Sequence, residues 1–171
     1  MSAILDYFTA PSDRHATAAL DDLVDLDPDT IDANEDPCGA SPDVAPRPRI
    51  QVAASGTPVL QLKGVEPVVA LGRLEAALTA RPYEEVASGA RHGSLVAMSD
   101  DGDTLVLTVT DELRDALAEL DADAVAAAAR VWAIDEEGGP SEEPVPVLSA
   151  FVELSAGAVH RGERVYCRVI V

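Results

Sequence analysis

The stretch PVLSAFVELSAGAVHRGERVYCRVIV, from Pro146 to Val171, carries two periodicities divided by one glycine. Val147, Ala150, Phe151, Leu154 and Ala158 recur three or four residues apart, the spacing of a buried helical stripe. Pro146 suits a first helical turn, where its missing N–H has no intrahelical partner. Gly162 stands where a helix C-terminus calls for a left-handed residue. From Arg164 the period becomes two: Val165, Cys167, Val169 and Val171 alternate with Arg164, Tyr166, Arg168 and Ile170. That is a strand with one apolar face. A core helix passing straight into a strand predicts one core shared by both element types.

Working back along the chain, Thr110 is placed to cap a helix whose first turn holds Asp111 and Glu112 and whose stripe is Leu113, Ala116, Leu117 and Leu120. Asp121 or Asp123 restarts a second helix with Val125, Ala128, Ala129 and Trp132 on one face; a single helix over 111–134 fits the same residues. Leu95–Met98 and Thr104–Val109 flank Ser99-Asp100-Asp101-Gly102-Asp103, the chemistry of a hairpin turn. Val59–Lys63 alternates as a strand, and Gly64 ends it. A helix follows from Pro67 to about Ala80, with Glu66 at its positive end and Val68, Leu71, Leu74 and Leu78 inward, until Arg81-Pro82 stops it. Ile4–Phe8 is a short apolar and aromatic run, and Ser12 is an N-cap candidate for a weak stripe reaching about Val24. The expectation is an α+β fold with a mixed or antiparallel sheet of four to five strands and three to four helices.

With 171 residues, 47% of them apolar, the chain predicts a single globular domain over 1–171 with one core. Its charge is unusual: 31 Asp and Glu against 12 Lys and Arg give a net −19. Such a surface repels phosphate backbones and anionic headgroups, so neither nucleic acid nor a membrane is an expected partner. The N-terminus lacks a basic n-region and no run approaches 18 apolar residues, which points to the cytoplasm. Residues 25–49 combine acids with Pro28, Pro37, Pro42, Pro46 and Pro48 and read as a solvated acidic loop. Asp135–Pro144 is a second acidic stretch.

Asp25-Leu26-Asp27-Pro28-Asp29 has the 1, 3, 5 oxygen spacing of a calcium loop, but Thr30 stands where glycine is needed and Asp36 where a bidentate Glu is needed, so no metal site is read there. Cys38 and Cys167 match neither a zinc ligand pair nor a CxxC. His15, His92 and His160 are far apart and read as surface or helix-end residues. Cys167 with His160 could form a thiol and base, but a cysteine inward on an apolar strand is a core residue. There is no G-x-S-x-G elbow and no glycine-rich phosphate loop. No catalytic residue and no cofactor is therefore predicted. Arg161, Arg164 and Arg168 gather a quarter of the cations into the last eleven residues.

Leu5-Asp6-Tyr7-Phe8, Lys63-Gly64-Val65-Glu66-Pro67-Val68-Val69 with Leu71-Gly72, Arg81-Pro82-Tyr83-Glu84-Glu85-Val86, LVLTVTDELRDA from Leu105 to Ala116, and Arg161 to Cys167 together resemble a group of small uncharacterised actinobacterial proteins. The early aromatic pair and the terminal strand are also similar to domains of the YfbM type. Neither resemblance implies an activity or a site residue.

Two functional readings follow. The first is a non-enzymatic acidic binding protein, of the immunity or antitoxin kind, whose Asp25, Asp27, Asp29, Asp32, Glu35 and Asp36 meet a basic partner protein, since strong negative charge steers capture of a cationic surface. The second is a small-ligand protein or enzyme with an anion site beside the terminal strand, made of Arg164, Tyr166 and Arg168, because guanidinium offers planar recognition of carboxylate or phosphate. A housekeeping domain without either site is the third possibility.

Overall fold

Strand β1 (Ile4–Ala10) opens a computed structural model that describes residues 4–22, 48–133 and 144–171. Two short helices, α1 (Asp13–Thr17) and α2 (Ala19–Asp22), come next; then β2 (Ile50–Val52), β3 (Pro58–Lys63), α3 (Val69–Thr79) and α4 (Tyr83–Ala87). The hairpin β4 (Leu95–Met98) and β5 (Thr104–Thr108) precedes α5 (Asp111–Ala118), α6 (Ala122–Ala133), α7 (Pro144–Arg161) and the closing strand β6 (Arg164–Ile170). The fold is α+β, and every strand pair is antiparallel in the order β2-β3-β1-β6-β5-β4. The two ends of the described chain, β1 and β6, thus lie side by side at the sheet centre, Tyr7 opposite Cys167 and Phe8 opposite Tyr166.

Alternation sorts the side chains onto two faces. Leu5, Tyr7, Leu60, Leu62, Val165 and Cys167 join the main core with Leu71, Leu74, Leu113, Leu117, Val125, Trp132, Phe151 and Leu154 from the helices. Tyr7 anchors it: its ring meets Phe151 edge-on at 4.7 Å, and its hydroxyl donates to the Val65 carbonyl at 2.6 Å. Trp132 Nε1 donates to the Ala70 carbonyl at 3.1 Å, pinning α6 to α3. The opposite face carries a second, smaller cluster of Phe8, Ala10, Val59, Val106 and Tyr166 against Ala16 and Ala19 of α1–α2. Both faces of the central strands are therefore buried.

The helix boundaries follow their local chemistry. Glu66 accepts from the N–H groups of Val68 and Val69 at 2.8 and 2.5 Å, satisfying orphan donors at the head of α3. Thr110 Oγ1 accepts from Leu113 N at 3.2 Å, and Asp121 Oδ1 from Ala124 N at 2.8 Å. That second cap decides for two helices, α5 and α6, over one. Helix α7 begins at Pro144, two residues before the expected start, with Pro146 still in its first turn. Gly162 closes it at φ +67°, letting Glu163 N reach the Ala158 carbonyl at 2.9 Å. Among the described residues the sheet has six strands rather than four or five because β2 and β1 add to those read from alternation; α4 likewise adds a helix, and the stripe after Ser12 forms two short helices, α1 and α2, rather than one.

Candidate functional site

Asp6, Gln61 and Arg168 occupy one row across the three central strands, Asp6 opposite Gln61 on β3 and Arg168 on β6. Arg168 donates to Asp6 Oδ2 from Nη2 at 2.6 Å and from Nε at 3.0 Å, and Gln61 Nε2 donates to Asp6 Oδ1 at 2.8 Å. Asp6 is wholly buried and Arg168 is 3% exposed. Removing two charges from water is costly unless each is paired and hydrogen-bonded, which this fork provides.

One pair of strand positions further along the same face, the Tyr166 hydroxyl donates to Asp13 Oδ1 at 2.8 Å. Arg91 reaches the same carboxylate at 3.1 Å and lies 5.8 Å from the Tyr166 ring centre, and Arg164 stands 3.9 Å from it. The Tyr166 hydrogen bond first, then Arg91 and Arg164, hold the Asp13 carboxyl below its ordinary range against the opposing effect of burial. Burial foremost, with the Asp13 charge, pushes the Tyr166 phenol up to about 12. Arg164 also approaches Asp111 at 3.5 Å, and Arg114 bridges Asp111, Asp115 and the Glu163 carbonyl. Arg164, Tyr166 and Arg168 thus share one strand face, as their alternation requires, but that face is covered by α1–α2 over Tyr166 and each of the three engages an acid of the chain itself.

Beside this network the described residues form a cleft of about 680 Å³ at the end of β1, bounded by α1–α2, the β2–β3 turn and the link from α7 to β6. Its basic lining is the guanidiniums of Arg14 and Arg161 with the imidazole of His15; Thr9, Ser55 and Thr57 add hydroxyls, and Pro11, Ala18 and Pro58 an apolar wall. Arg161 is held in place: Nε donates to Glu163 Oε2 at 2.7 Å and Nη2 to Thr9 Oγ1 at 3.1 Å, while Thr9 Oγ1 donates to the same Glu163 oxygen at 2.7 Å. His15 Nδ1 lies 2.8 Å from Ser12 Oγ, a contact that engages Nδ1 and leaves Nε2 without a hydrogen-bond partner among the described residues. Ser55 Oγ donates to Thr57 Oγ1 at 3.0 Å, which leaves the Thr57 hydroxyl proton for another acceptor. Arg14 is exposed and makes no ion pair with a described residue. A pocket of this size, with a few polar groups on an apolar wall, is typical of small-molecule sites.

A second, water-sized cavity of about 10 Å³ lies between α3, α5 and the loop before β4. Glu75 and Thr110 line it, Thr110 Oγ1 donating to Glu75 Oε2, with Arg81 3.7 Å from the other oxygen. Burial pushes the Glu75 carboxyl up. His92 is half-buried here, with Tyr83 edge-on and Gly72 beneath it, rather than a surface or helix-end residue. A Cβ on Gly72 would stand 2.5 Å from His92 Cε1, so only glycine admits that approach. This is a tie between helices.

Asp25, Asp27, Asp29, Asp32, Glu35, Asp36 and Cys38 lie outside the described residues. Cys167 is buried on the helical face, where burial raises its thiol pKa, and His160 is exposed in the last turn of α7, so they form no pair. Among the described residues no group of three His, Cys, Asp or Glu is placed to hold a metal, and no helix is long and apolar enough to cross a membrane. Arg14, His15, Thr9 and Glu163 had no motif to announce them; the one signal was the local surplus of cations around Arg161. Comparison with family models, curated proteins and solved structures finds no match to this chain.

Proposed function

We propose that the chain is a binding protein that takes up a small anionic ligand in the cleft beside β1. The observation that carries this reading is that Arg14, His15 and Arg161 line one cleft of about 680 Å³ in a molecule of net charge −19. Cations are scarce on this chain, so two guanidiniums around one concavity mark where an anion is best tolerated. The site lies at the start of the C-terminal strand, with Arg161 in place of Arg164, Tyr166 and Arg168 as the principal contact. Titration calorimetry of the full chain with benzoate and phenyl phosphate tests it. Replacing Arg14 and Arg161 by Gln should together weaken binding by about 10²- to 10⁴-fold, each charge-assisted contact contributing about 1.5–3 kcal/mol. Absence of heat with either anion, at concentrations up to millimolar, refutes the reading.

The charge balance favours a second reading, capture of a basic protein partner in the manner of an immunity protein. With 31 acids and 12 cations, no internal pairing can neutralise the chain. Residues 23–47 and 134–143 contain twelve of those acids and one Arg. Capture through Asp25, Asp27, Asp29, Asp32, Glu35 and Asp36 should weaken steeply with added salt and be abolished by reversing the charge of the first four.

A further inference from the structure

We infer that the ligand of this cleft bears a phosphate monoester, its dianion held by Arg14, His15 and Arg161 with its organic group against Pro11, Ala18 and Pro58. The inference rests on the anion-cleft reading and names its chemical class. The cleft already contains a carboxylate: Glu163 accepts from Arg161 Nε at 2.7 Å and from Thr9 Oγ1 at 2.7 Å. A ligand carboxylate offers Arg161 the same charge and geometry that Glu163 supplies, so the exchange gains little. A phosphate monoester carries nearly two charges at neutral pH and three acceptor oxygens. It can engage Arg14 and the His15 and Thr57 donors as well as the outer edge of Arg161, without displacing Glu163. The donor set is also of the right kind, since two guanidiniums and neutral donors satisfy a tetrahedral oxyanion on several sides. The acids elsewhere on the chain oppose a dianion weakly at physiological salt, where fields decay over about 8 Å, and Asp13, beside Arg14 in sequence, is engaged by Tyr166, Arg91 and Arg164.

Calorimetry of the full chain at pH 7.5 with phenyl phosphate, benzoate and inorganic phosphate separates the outcomes. Phenyl phosphate should bind about 10-fold or more tighter than benzoate, the value of one further charge-assisted contact. Arg14→Gln should narrow that ratio toward one. Lowering the pH to about 5, where the ester becomes a monoanion, should narrow it too. Benzoate binding as tightly as phenyl phosphate overturns the phosphate assignment and leaves the anion cleft standing. Inorganic phosphate binding as tightly as phenyl phosphate overturns the ester and its apolar wall. No binding by any of the three, or binding indifferent to Arg14→Gln and Arg161→Gln, overturns the cleft reading itself.

Discussion

Asp6 sits inside the run Ile4–Phe8, between Leu5 and Tyr7, and its burial depends on Arg168 from the far end of the chain. An isolated carboxylate with Gln61 alone for company would lack a counter-charge. Arg168→Ala is therefore expected to cost about 3–5 kcal/mol of unfolding free energy, whereas Asp6→Leu combined with Arg168→Met should cost much less, since apolar replacements for a buried pair are often neutral. Urea unfolding measures both; equal losses in the single and double variants would show that the pair is not what the fold leans on. The alternation of β6 put Arg168 on the face away from Cys167, and this was legible. That the face is itself buried was not, because burial of that face depends on β6 being central and on α1–α2 packing over it.

At the scale of elements, Glu75 interrupts an otherwise apolar stripe of α3, one helical turn after Leu71, and receives the hydroxyl of the residue that caps α5. One threonine thus serves the N-terminus of α5 through its acceptor lone pair and α3 through its proton. Burial raises the Glu75 carboxyl, Glu112 adds to this, and Thr110 and Arg81 oppose it. A carboxyl whose pKa is higher in the folded than in the unfolded chain binds its proton more tightly when folded. Its contribution to stability is then fullest below the unfolded carboxylate value and declines as pH rises through the folded one. Glu75→Gln keeps an acceptor for Thr110 and cannot ionise. The stability of the native chain relative to this variant should fall as pH rises above the ordinary carboxylate range, as read by urea unfolding at each pH; a difference independent of pH would contradict it. Caps, glycine stops and the hairpin were visible in sequence because they are local interactions. The α3–α5 tie joins residues 35 apart, and the out-of-place acid in an apolar stripe was its only trace.

Taken whole, the molecule carries more like charge than its own cations can offset, whatever their arrangement. Self-repulsion of this kind weakens as salt shortens the Debye length. The melting temperature should rise by a few degrees between about 20 and about 300 mM NaCl, a gain on the order of 1 kcal/mol for a chain of this size. A fall instead would mean that the attractive pairs around Asp13, Asp111 and Glu163 outweigh the general repulsion. The sequence by itself determined the α+β class, the extent of most helices, the hairpin and the two-faced terminal strand, because hydrophobic period, capping and turn chemistry act over a few residues. Only the tertiary structure decided that β1 and β6 pair at the centre, that Arg168 is internal, and that Arg14, His15 and Arg161 border one cleft. Each of those facts depends on contacts between segments about 150 residues apart, and no local pattern encodes which distant partner a strand or a charge will meet.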